Sequence, residues 1–131
     1  MNNAIIYLGT AIEYPISLQD GSPQLVAGLT VVGQSIKDIL NTPIGTRLFL
    51  RQYGSRLRQV QFEVLDESVE ALLDLVIFEA LEKWETRAVI ESITYASNTD
   101  EGSCTATINT FVPKYNQIAA FVYPFYTKLK Y

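Results

Sequence analysis

Apolar and polar positions along the chain follow two periods, helical through the middle and alternating towards the end. Val69, Leu72, Leu73, Val76, Ile77, Ala80, Leu81 and Trp84 recur at the spacing of one helix face and predict a long, core-facing helix. Asp66 or Ser68 can cap its start, and Glu67 and Glu70 suit the positive end of its dipole. Leu25, Leu29, Val32, Ile36, Ile39 and Leu40 repeat in the same way and predict an earlier helix from about Gln24 to Leu40. Gly28 and Gly33 each weaken that helix by about 1 kcal/mol relative to alanine, so packing must hold it. Asn41-Thr42-Pro43 ends it, because proline disfavours helix in the residue before it.

Beyond the second helix the period changes to two. Val89, Glu91, Ile93 and Tyr95 alternate with Ile90, Ser92 and Thr94, and Cys104, Ala106 and Ile108 alternate with Thr105, Thr107 and Asn109. The polar run Asn98 to Gly102 between them reads as a hairpin loop. Ile118 to Tyr126 is a third β-prone segment, placed at a sheet edge because Pro124 cannot donate to a ladder. Upstream, Ile5 to Leu8 is β-prone and Asp20-Gly21-Ser22-Pro23 is a turn signal. Between the helices, residues 43–65 read as an ordered loop with turns at Gly45 and Gly54 and a short strand through Val60, Phe62 and Val64. These elements predict an α+β domain, with two main helices packed on a small, mostly antiparallel sheet that ends in a C-terminal β-meander. It spans 1–131 as one unit: an arm over 1–24, a helical part over 25–87 and a C-terminal sheet over 88–131.

Composition narrows the chemistry. A chain of 131 residues, 48% of them apolar, supports one domain with a real core. It contains no histidine and one cysteine, which removes Ser-His-Asp and Cys-His catalysis, histidine-ligated metal, thiolate zinc and an internal disulfide. No phosphate loop or dinucleotide glycine pattern is present, so no cofactor or metal is expected. The start has no basic, then apolar, leader, and no apolar run is long enough to span a membrane. Glycoside hydrolysis needs only two carboxylates, and Glu63, Glu85 and Glu91 are available, but nothing in the sequence pairs them. The net charge of −4 disfavours a nucleic-acid partner. It is also unevenly placed. Arg47, Arg51, Arg56 and Arg58 occur without an acid among them, and Glu63, Asp66, Glu67, Glu70, Asp74, Glu79 and Glu82 follow without a base. Such polarity suits docking in a fixed orientation, or two solvated faces that differ in sign.

An ordered set of motifs runs through the centre of the chain. Ser35-Ile36-Lys37-Asp38-Ile39-Leu40-Asn41-Thr42-Pro43-Ile44-Gly45-Thr46-Arg47 is followed by Tyr53-Gly54-Ser55-Arg56-Leu57, then Phe62-Glu63, then Ala80-Leu81-Glu82-Lys83-Trp84-Glu85-Thr86-Arg87. Over about residues 25–95 this resembles the contractile-tail baseplate wedge and sheath-initiator family. That family includes phage baseplate assembly protein W, a lysozyme-like baseplate wedge protein and the type VI secretion baseplate subunit. Read locally, Gly45 and Gly54 allow backbone that a Cβ tolerates poorly, Thr42 braces the turn after the first helix, and Arg47 can hydrogen-bond loop carbonyls or a carboxylate. Tyr53 and Ser55 complete that loop.

The resemblance implies a structural subunit of the virion tail baseplate, assembled in the host cytoplasm, with no turnover. It implies that Trp84, Glu85, Thr86 and Arg87 contact a helical bundle of neighbouring wedge subunits. Thr86 stands where the family has proline, and the local alternative is a salt bridge that closes the helix. On this basis, charge reversal at Arg87 is expected to block assembly and leave the fold intact. It further implies that the C-terminal sheet pairs with strands of the tail sheath protein, through Phe121, Val122, Tyr123, Phe125 and Tyr126. Tube or hub proteins are further implied partners. The competing expectation is a peptidoglycan-degrading, lysozyme-like hydrolase.

Overall fold

The protein is described by a computed structural model over residues 8–60, 67–98 and 103–126, without the side chains of 98, 125 and 126. In chain order the elements are β1 (Thr10–Ile12), β2 (Leu18–Gln19), β3 (Ser22–Pro23), β4 (Leu25–Ala27), α1 (Leu29–Asn41), α2 (Leu57–Val60), α3 (Glu67–Trp84), β5 (Val89–Asn98), β6 (Ser103–Val112) and β7 (Gln117–Tyr126). The fold is α+β, as expected. Helices α1 and α3 pack on each other, and α3 and α1 meet the C-terminal sheet at β5 and β7.

The arm folds into two small antiparallel ribbons, β1 with β4 and β2 with β3. Asp20 and Gly21 turn the inner ribbon, both at positive φ (51° and 77°), the backbone of a two-residue type I′ hairpin. This arm corrects the expected start of the first helix. Leu25 to Ala27 is a strand paired with Thr10 to Ile12, and α1 begins only after Gly28 at φ 73°. Leucines, isoleucines and a valine at helical spacing satisfied a helix pattern, but pairing with a distant strand took the first of them, Leu25, together with Val26 and Ala27. At the other end Thr42 closes α1 as expected, giving both its backbone N–H and its hydroxyl to the Asp38 carbonyl, at 3.0 and 2.7 Å.

Helix α3 buries Val69, Leu73, Val76, Ile77, Ala80 and Leu81, and Trp84 is half-buried against the core. Leu72, expected on that stripe, is 39% exposed. Val60 ends the single turn α2 and is not in a strand, while Phe62 and Val64 lie outside the described residues. The proposed β-run from Ile5 also lies outside them, up to Leu8, which is helical and buried.

The C-terminal sheet has the order β5-β6-β7, all antiparallel, with β7 at an edge as Pro124 requires. Central β6 buries every second residue from Cys104 to Val112. Strand β5 departs from the expected alternation. Ile90 pairs with Thr110 and Ser92 with Asn109, so Glu91 is an extra residue and forms a bulge. The bulge reverses the phase: Ile90 joins Ile93 and Tyr95 against the core, and Val89 is 57% exposed.

Candidate functional site

The loop after α1 is closed by backbone. Ser55 donates its N–H to the Thr42 carbonyl at 2.9 Å, and Pro43 and Ser55 form an isolated parallel bridge. Ser55 is buried, and its hydroxyl donates to the Leu40 carbonyl at 2.9 Å. Gly54 sits at φ 117°, and a Cβ there would lie 2.1 Å from the Thr42 carbonyl oxygen. Only glycine fits this crossing. Gly45 also has positive φ (92°), and its N–H donates to the Arg51 carbonyl at 2.8 Å.

The closed loop leans on the end of α3. Tyr53 meets Trp84 edge to face at 5.1 Å between ring centroids, and its hydroxyl donates to Asp38 on α1 at 2.6 Å. Burial and the neighbouring Asp38 carboxylate push the Tyr53 hydroxyl up to about 12. Arg47 was expected on a carbonyl or carboxylate. It lies instead over the Tyr53 ring at 4.3 Å, with Lys83 over Trp84 at 5.1 Å. Two of the segments singled out by sequence, Thr42 to Ser55 and the corner at Trp84, therefore form one continuous surface.

Past Trp84 the chain turns from α3 into β5. Glu85 is buried, its side chain 2% exposed, and Arg87 binds it with two prongs, Nε to Oε1 and Nη2 to Oε2, both at 2.7 Å. The Arg87 backbone N–H also donates to Oε1 at 3.2 Å. The remaining prong, Nη1, donates to the Leu8 carbonyl at 2.8 Å and ties the corner to the start of the arm. Burial alone would raise the Glu85 carboxyl. Hydrogen bonds from Arg87 and Ser35, with the arginine's charge, outweigh it and hold the carboxyl below its ordinary value of 4.5. The guanidinium is thus a strut of the corner, and this geometry predicts that charge reversal at Arg87 costs fold stability as well as assembly. Thr86, between the pair, is exposed.

On β7 the segment expected to pair with the sheath divides between interior and surface. Tyr123 is buried and its hydroxyl donates to the Asn41 side chain at 2.6 Å. The Phe121 ring covers α1 at Gly33, where a Cβ would come within 2.9 Å of it. Val122 is 53% exposed, and the side chains of Phe125 and Tyr126 lie outside the described residues. Beside the strand runs a groove of about 1020 Å³ between the arm, α1 and β7. Three consecutive residues, Ala120, Phe121 and Val122, line it, so it follows the strand and not one of its faces.

Sequence reasoning missed Ser35, Asp38, Asn41 and the Leu8 carbonyl. The first three project from α1 with nothing beside them in the sequence to mark their distant partners. The carboxylates considered for catalysis stand in different settings. Glu85 is ion-paired and ionised at neutral pH, Glu91 sits exposed in the β5 bulge, and Glu63 lies outside the described residues. Among the described residues no three acids or cysteines gather as metal ligands, and no helix is long and apolar enough to cross a membrane.

Comparison with known proteins agrees with this geometry. The family model described as baseplate wedge protein gp25 matches residues 27–113. Baseplate protein W of Escherichia phage P2 is 37% identical over 86 residues, covering 62% of this chain and 74% of that protein. A candidate tail lysozyme from Geobacter sulfurreducens, known from a crystal structure, superposes with a TM-score of 0.74 at 28% identity, over 84% of this chain and all of that one. A chain of the anti-feeding prophage baseplate shares the fold over 98% of this chain and 93% of its own, with a TM-score of 0.69 at 19% identity. One from the post-contraction pyocin R2 baseplate does so over 85% and 97%, with a TM-score of 0.55 at 22% identity.

Proposed function

The chain belongs to the baseplate wedge protein gp25 family and is a structural baseplate subunit of a contractile tail, and from that premise we propose that it docks on a wedge through the α3–β5 corner and starts the sheath through its C-terminal sheet. The observation that carries the second half is the edge of β7. Among the described residues that strand has a neighbour on one side only, and the groove of about 1020 Å³ along it leaves room for an extended segment from a sheath subunit. Main-chain hydrogen bonds would supply the join, and the groove walls would choose the side chains. The corner supports the first half. Trp84 and Thr86 border the surface made by the closed loop, and the Glu85–Arg87 pair fixes the turn that presents them. The subunit works by geometry and binding, without turnover, and is assembled in the host cytoplasm. Tube or hub proteins are further contacts on this reading.

Two experiments test the halves separately. Thr86→Trp, at an exposed position, should melt like the parent chain and fail to enter baseplates; normal incorporation would remove the corner's docking role. For the strand, Ala119→Pro and Ala120→Pro each delete one β7 amide, and alternate amides of an edge strand face outward. The variant that keeps the fold should enter baseplates and leave them without sheath. Sheath of normal length on those baseplates would overturn strand pairing.

The likeness to a candidate tail lysozyme favours a second reading, a cell-wall hydrolase. An ionised, ion-paired Glu85 does not suit a general acid, which needs a raised pKa. Release of soluble fragments from purified peptidoglycan, abolished by Glu91→Gln, would establish that reading in place of a purely structural role.

A further inference from the structure

Outside the corner and the β7 edge, the arm exposes Tyr14, Leu18, Ile16, Leu25 and Ile12, and two further apolar features lie beside charged residues of opposite sign. One is the tip of the closed loop. Phe49 is 95% exposed and Leu48 78%, with Arg47 and Arg51 exposed on either side. Phe49 also holds φ at 65°, a left-handed conformation that a bulky side chain rarely adopts. The tip is braced: Leu50 donates its N–H to the Arg47 carbonyl at 3.3 Å, Tyr53 to Leu50 at 3.1 Å, and Gly45 to Arg51 at 2.8 Å. A phenylalanine held in water by a braced, strained turn has the form of an anchor for another surface.

The other feature is the outer face of α3. Leu75 is 63% exposed, Phe78 41% and Leu72 39%, at successive three-residue steps on one side of the helix. Glu79 and Glu82, both exposed, continue that strip towards the C-terminal end. The two features match in kind. One is apolar with arginines beside it, the other apolar with glutamates beside it. They do not meet within one chain, because the loop is fastened to the end of α3 through Tyr53–Trp84 and Lys83–Gln52 and leaves Phe49 in solvent. Among the described residues neither Arg47 nor Arg51 forms an ion pair.

We propose that the loop tip of one copy, led by Phe49, docks on the Leu72–Leu75–Phe78 strip of a second copy of this chain, with Arg47 and Arg51 against Glu79 and Glu82. The contact is head to tail, so it leaves one tip and one strip free and propagates until a ring closes. It lies well below the roughly 1,000 Å² that a stable interface needs, so it is weak between free chains and gains strength when other contacts gather the copies. It concerns how copies meet each other and does not depend on the wedge or sheath contacts proposed above.

Single-cysteine mixing tests it on the full chain. Cys104 is buried and stays silent, and both new positions are exposed. Phe49→Cys chains mixed with Leu75→Cys chains under mild oxidation should give a mixed disulfide dimer in clear excess over the dimer that either chain gives alone. Arg51→Glu in the first chain should abolish that excess, and Glu82→Arg added to the second should restore it, both with unchanged thermal melts. Dimer yields that are the same for mixed and unmixed chains would overturn the proposal. So would a mixed dimer indifferent to the charge reversal. If a different baseplate protein occupies the strip, the mixed dimer fails to form in solution and in assembled baseplates alike, and that outcome also overturns it.

Discussion

Arg87 holds Glu85 across a single intervening residue, Nε and Nη2 each 2.7 Å from a carboxylate oxygen. The glutamate is sealed from solvent, while the arginine side chain is 29% exposed. The two ends of the pair are therefore not equivalent. Removing the arginine strands a buried charge; removing the glutamate frees a cation that can turn to water.

Arg87→Met should destabilise the fold by about 3 kcal/mol, the cost of leaving a buried carboxylate without its partner. Urea unfolding of the variant and the parent would measure it, and a loss within error of zero would show that the corner does not depend on the pair.

Acid should act through the same carboxyl. Its folded value lies below the ordinary 4.5, so the folded state favours the ionised form. That contribution is fully present above 4.5 and is lost as pH falls through the folded value. Unfolding free energies measured through this acid range should fall more steeply for the parent than for Glu85→Gln. Parallel curves would assign the acid sensitivity to other carboxylates.

Gly54→Ala should cost at least about 2 kcal/mol, since the alanine would hold positive φ and meet the Thr42 carbonyl. Gly45→Ala has the same sign of φ but nothing within 4 Å of the added carbon, so its cost is backbone strain alone. Paired thermal melts should rank Gly54→Ala well below Gly45→Ala.

The bulge at Glu91 gives a fourth expectation. Ile90→Ser should lose about 1–2 kcal/mol of apolar burial, while Val89→Ser should stay within about 0.5 kcal/mol of the parent. An unbulged strand, following the simple alternation of the sequence, would reverse that order.

What could be read in advance was local. Helix α3 and strand β6 each repeat at one period, and apart from Leu72 their burial follows it. The hairpin turn at Asp20-Gly21 and the crossing at Gly54 depend on glycine, which leaves its mark on the sequence. The failures are non-local. Leu25 satisfied a helical repeat, but the segment from it to Ala27 was claimed by Thr10 to Ile12; Glu91 shifted β5 out of phase because of its register with β6. At the corner, an acid and a base two apart suggested their own salt bridge, but the Leu8 carbonyl that completes the arginine's bonds lies 79 residues away. Leu48 and Phe49 are apolar yet stand in solvent at the tip of the loop, which no pattern in the sequence marks.

Among the described residues the C-terminal sheet is three strands wide, and neither outer strand has a further strand beside it. A subunit waiting to be assembled thus carries two unfinished seams, each able to fuse with a like seam on another copy before any machine exists. The Glu91 kink roughens one, and Pro124 removes a bonding position from the other. An irregular edge of either kind is a poorer template for edge-to-edge pairing than a straight, fully bonding strand.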